Sequence, residues 1–79
     1  MMLERRLFRV LEFPKHLQTT ILALLKLGCA TAEDVASVTG KARAVESAYL
    51  NQLVVMKIVS KSRIKRKAYF QVVPEALDW

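Results

Sequence analysis

Residues 31–72, TAEDVASVTGKARAVESAYLNQLVVMKIVSKSRIKRKAYFQV, hold in one run a short helical pattern, a turn, a longer helical pattern and two basic strand patterns. Thr31 is a good N-cap, and Glu33 and Asp34 follow where carboxylates meet the positive end of a helix dipole. Val35, Ala36 and Val38 give this first helix a short apolar face, and Gly40 supplies a left-handed stop. Two turns of helix cannot stand alone, so the segment must pack on neighbours. A second helix is predicted over residues 42–56. Val45, Tyr49, Leu53 and Met56 fall on one stripe with Leu50 beside it, and Arg43, Ala44, Ser47 and Asn51 fall on the other side. From Ile58 the preference turns to β-branched and aromatic residues, predicting strands over 58–64 and 68–73 with Lys65, Arg66 and Lys67 between them. Pro74 cannot donate to a ladder and closes the second strand.

Working outward, residues 15–27 (KHLQTTILALLKL) place Leu17, Ile21, Leu24 and Leu25 at helical spacing, with Pro14 at the start and Gly28 just past the end. Residues 3–13 admit two readings. Leu3, Leu7, Val10 and Leu11 suit a helix, towards which the segment leans, while Leu7, Arg9, Leu11 and Phe13 suit an extended strand. Pro14 disfavours helical geometry at Phe13, so a helix must stop by Glu12. The 79 residues are expected to form one domain: an extension over 1–13, a core over 15–73 and a tail over 74–79 whose Trp79 covers apolar surface.

Charge is segregated. Residues 41–67 hold eight basic side chains against one acid, Glu46, so this stretch carries all of the formal net charge of +6 and one unit more. Gathering cations on one helix and one hairpin is what a polyanion-binding face requires, because each phosphate neutralised releases condensed counterions. No apolar run reaches the roughly 20 residues that span a bilayer, and Glu4, Arg5, Arg6 and Arg9 stand where a signal peptide needs apolar residues. The expectation is a cytoplasmic protein with no membrane association. A lone Cys29 and a lone His16 leave no zinc site, no metal or other cofactor is expected, and Cys29 is expected to be a small buried hydrophobe. Paired carboxylates, phosphate loops and nucleophile elbows are missing, which argues against an enzyme.

Helix, short helix, Gly turn, longer helix and basic hairpin together resemble a winged helix-turn-helix, an α+β fold of three helices and a C-terminal β-hairpin wing. Ala32 to Gly40, Leu50 with Leu53, and Tyr69 with Phe70 look like the three parts of small archaeal MarR-, ArsR- or TrmB-like transcription regulators. Two positions depart from that pattern. Glu46 stands where related helices carry an apolar core residue, which leaves the rotational register of its helix open by one position. Lys65 stands where a wing tip commonly has Gly, so a looser tip than a two-residue turn is allowed.

The resemblance and the charge agree on double-stranded DNA as partner, with transcription regulation as the role. A major groove about 12 Å wide admits one helix, whose N-terminal half reaches the base edges. Lys41, Arg43, Ala44, Ser47 and Asn51 would lie nearest the bases: Arg43 for guanine, Asn51 for adenine, Ala44 for a thymine methyl. Lys41, Thr39 and the start of the short helix suit phosphates. Lys61, Arg63, Lys65, Arg66 and Lys67 would meet the backbone or the minor groove. A single module this small makes a small interface, so a homodimer on two half-sites is expected, with residues 1–13 as the contact. No small-molecule ligand is expected. The rival reading is a protein-interaction winged helix within a transcription or replication assembly, and a third is RNA binding.

Overall fold

The computed structural model describes residues 10–74. Three helices, α1 (Lys15–Leu27), α2 (Ala32–Thr39) and α3 (Arg43–Val55), combine with β1 (Cys29–Ala30), β2 (Val59–Ile64) and β3 (Lys67–Val72). The three strands form one antiparallel sheet in the order β1-β3-β2. Val10 and Leu11 are helical, and Gln18 closes the following turn by donating from Nε2 to the Phe13 carbonyl at 2.6 Å. The rest of the 3–13 segment, its proposed dimer contact and the Trp79 tail lie outside the described residues.

α1 keeps the expected stripe: Leu17, Ile21 and Leu24 are fully buried and Leu25 packs at the edge of the core. α2 opens with a capping box, Thr31 Oγ1 accepting from the Asp34 N–H at 3.1 Å while Asp34 Oδ2 accepts from the Thr31 N–H at 3.2 Å. It ends at Gly40, whose φ of 78° is the left-handed conformation that a side chain resists. Leu50, Leu53, Val59, Phe70 and Val72 complete a single core with Ala30 and Val35.

Several expectations are corrected. Cys29 is exposed, because it pairs with Gln71 in the extra strand β1 and strand alternation turns Ala30 inward and Cys29 outward. β2 begins a residue later than predicted and ends at Ile64 as predicted, while β3 begins and ends a residue earlier, so Lys67 belongs to it.

The largest correction concerns α3. Val45 and Met56, expected in the core, are 38 % and 43 % exposed, whereas Glu46 is 0 % exposed and Leu50 and Leu53 are buried beneath it. Leu53 stays buried and Tyr49 packs at the edge of the core, so the inner face is the expected one turned by less than one residue's rotation of about 100° towards Glu46 and Leu50. A buried carboxylate loses its hydration and needs donors in compensation. Two hydroxyls provide them: Thr20 Oγ1 on α1 donates to Glu46 Oε1 at 2.6 Å, and Thr39 Oγ1 at the end of α2 donates to Oε2. Glu46 also lies in the first turn of α3, where the helix dipole favours negative charge. One side chain therefore ties all three helices together. Thr39, expected to face phosphate, directs its hydroxyl proton into this site instead and accepts from the Lys41 N–H at 3.3 Å.

α3 ends in a Schellman motif. The Ile58 N–H reaches the Leu53 carbonyl and the Lys57 N–H the Val54 carbonyl, both at 3.0 Å. Lys57 takes a left-handed φ of 64° to make this possible, and buried Ile58 packs towards Leu53 as the chain turns into the wing.

Glu46→Ala should remove an acceptor from two hydroxyls and leave a cavity, lowering the unfolding free energy by about 2–4 kcal/mol. Glu46→Met combined with Thr20→Val and Thr39→Val should recover most of that loss, since apolar groups of similar volume replace buried polar networks well. Urea denaturation of the two variants checks this. A Glu46→Ala effect within about 0.5 kcal/mol, the range of a surface change, contradicts the assigned role.

Candidate nucleic-acid interface

A groove of about 220 Å³ opens between α3, the wing and the start of α2. Arg43, Ser47 and Asn51 line it from α3; these positions are four apart and so share one helix face. Lys61, Arg63, Arg66 and Lys67 line it from the wing, and Thr31, Ala32 and Glu33 from α2.

The register of the hairpin explains how cations come to face α3. Val59 pairs with Val72, Lys61 with Phe70 and Arg63 with Ala68, so these six residues share one face of the ribbon. At the inner end that face is buried, through Val59, Val72 and Phe70. Beyond the core the same face carries exposed Lys61 and Arg63. One ribbon face thus serves the core at its foot and a polyanion towards its tip.

The tip corrects a further expectation. Ile64 pairs with Lys67, leaving a two-residue connection, Lys65–Arg66, with φ of 50° and 71°. Positive φ at both central positions is the type I′ turn, which matches the twist of the flanking strands. Neither residue is Gly or Asn, so each resists the left-handed conformation by roughly 1 kcal/mol. The sheet twist imposes the turn despite an unfavourable local sequence.

Seven of the ten expected contact residues line the groove: Arg43, Ser47, Asn51, Lys61, Arg63, Arg66 and Lys67. Lys65 stands at the tip and Ala44 is exposed on α3 outside the groove. Lys41 leans elsewhere: its Nζ sits 5.3 Å from the centre of the Tyr49 ring, which itself packs against His16 at 4.9 Å. Within the groove, Lys61 Nζ donates to Asn51 Oδ1 at 3.2 Å and lies 5.6 Å from the Phe70 ring centre. Asn51 Nδ2 donates to the Ser47 carbonyl at 2.9 Å. Sequence reasoning missed Glu33, the acid in this basic lining; its first-turn position on α2 was evident, but only the packing of α2 beside α3 brings it to the groove. Among the described residues no cluster of three or more His, Cys, Asp or Glu could hold a metal, and no helix is long and apolar enough to cross a membrane.

This architecture, three helices with a two-stranded wing, is the winged helix-turn-helix. Solved structures share it: a Bordetella bronchiseptica BpsR structure on regulation of DNA binding by 6-hydroxynicotinic acid superposes with a TM-score of 0.74 at 18 % identity, covering 94 % of this chain and 59 % of that one. The AntR antimony-specific transcriptional repressor gives 0.72 at 24 % identity, covering 90 % and 63 %. The chain spans about three fifths of the length of both. No protein-family model matches. An uncharacterized protein of Archaeoglobus fulgidus is 48 % identical over 59 residues, 75 % of this chain and 80 % of that one, and the two chains belong to one family.

Lys65→Asn with Arg66→Gly should relieve the tip strain and raise the unfolding free energy by roughly 1–2 kcal/mol. For a domain of this size that is a rise in Tm of about 4–8 °C per kcal/mol, read by thermal denaturation. A lowered Tm would show that the two residues stabilise the turn in some other way.

Proposed function

We propose that this protein is a sequence-specific double-stranded DNA-binding transcription regulator. The observation that carries the reading is the groove in which the outer face of α3 and the cationic face of the wing open on one side. A duplex placed there would receive α3 in its major groove, with Arg43, Ala44 and Ser47 towards the base edges and Asn51 further along the same helix. Arg63, Lys65, Arg66 and Lys67 would follow the phosphate backbone or the adjacent minor groove, and Lys61 would stand at the foot of the wing. The fold shared with the BpsR and AntR structures supports this reading, since DNA binding is named for the first and transcriptional repression for the second. The protein acts in the cytoplasm as a homodimer, because one module of this size discriminates poorly without a second half-site.

Selection of bound sequences from a random duplex pool should yield a defined half-site, repeated at about 10 base pairs if two copies bind side by side. With six phosphates engaged, the slope of log K against log[salt] should be about −5. A slope shallower than about −2 would remove joint engagement by helix and wing. Sedimentation showing only a monomer at high micromolar concentration, with and without duplex, would remove the dimer.

A further inference from the structure

We propose that Asn51 is a positioning residue rather than a base reader: it holds Lys61 upright between α3 and the wing, so that Lys61 meets a phosphate at a fixed place. The proposal rests on the DNA-binding reading above and assigns roles within that site. Both ends of the Asn51 amide are engaged without a ligand. Nδ2 is held by the Ser47 carbonyl at 2.9 Å and Oδ1 accepts from Lys61 Nζ at 3.2 Å. Reading adenine uses Oδ1 for N6 and Nδ2 for N7 at once; one lone pair and one N–H remain for that, but the two bonds already made fix the plane of the amide to α3 and Lys61 rather than to a base. Position along the helix argues the same way. Asn51 lies two turns beyond Arg43, about 12 Å along the axis, whereas the first turns of a recognition helix reach the bases.

Lys61 has a matching need. A lysine ammonium on a four-carbon stem is mobile, and ordering it on a phosphate carries an entropic penalty. Here it has two restraints already, the Asn51 carbonyl oxygen on one side and the Phe70 ring 5.6 Å away on the other. Phe70 is buried in the core, so the second restraint is fixed to the body of the protein. The first crosses from β2 to α3, linking the foot of the wing to the helix beside it. Asn51 thus acts on DNA through Lys61.

The test compares the full chain with its Asn51→Ala, Lys61→Met and doubly substituted variants on the selected duplex and on single-base replacements of it, across a range of salt. Both side chains are exposed, so all four proteins should fold, and urea denaturation verifies it. Asn51→Ala should weaken binding by less than about fivefold, uniformly over the replaced duplexes, and flatten the salt slope by up to one unit, as Lys61→Met does. The double variant should bind within about twofold of Lys61→Met alone. Loss of preference for adenine at one position by 5- to 150-fold, with the slope unchanged, would overturn the proposal in favour of base reading. A double variant whose loss is the product of the two single losses would overturn it as well. Absence of duplex binding by the unaltered chain would instead remove the DNA reading itself. The strut has a separate readout: Lys61→Met should shift the Asn51 side-chain amide resonances in the free protein, and unmoved resonances would show that no strut exists.

Discussion

A single buried carboxylate sets the geometry from which everything else follows. Glu46 lies at the meeting of α1, α2 and α3, bonded to one threonine on each of the first two. A carboxyl group is tolerable there because both of its oxygens are bonded to threonine hydroxyls. Its directional bonds fix what apolar contacts alone would leave loose, namely the rotation of α3 about its axis. With Glu46 inward, Leu50 and Leu53 follow into the core, and Arg43, Ser47 and Asn51 are turned towards the wing.

The wing is set by a different constraint, the register of β2 on β3. Because Lys61 and Arg63 share a face with Val59 and Phe70, anchoring the foot of the ribbon in the core necessarily aims its cations at α3. Among the described residues the non-glycine positions at positive φ are Lys57, Lys65 and Arg66; they sit at the two bends that define this ribbon, and all three are cations. Strain is accepted at the junction with α3 because the Schellman bonds hold it, and at the tip because the strand ladder does. The consequence is a polycationic arm of fixed direction with a polar bridge to the neighbouring helix.

Much of this was legible from local pattern. The limits of α1, the Thr31 cap, the Gly40 stop and the existence of a basic hairpin follow from capping chemistry, periodicity and β-propensity, all of which act within a few residues. Most of the groove residues were legible for a related reason: cations concentrated on one helix and one hairpin must share a surface if those elements are adjacent. What escaped was long-range. β1 is two residues long and exists only because β3 offers it an edge. Glu33 enters the groove only through the packing of α2 beside α3.

The amino-acid order by itself determined the succession of three helices and a hairpin, the winged-helix class and the location of the charge, because each rests on local chemistry. Tertiary structure alone decided which way α3 faces, how tightly the wing turns and that Asn51 meets Lys61. Periodicity favoured Val45, Tyr49, Leu53 and Met56 as the inner stripe, and no pattern of hydropathy places a carboxylate in a core. Only when Thr20 and Thr39, distant in the chain, are brought to the same point does burying Glu46 become the favourable arrangement.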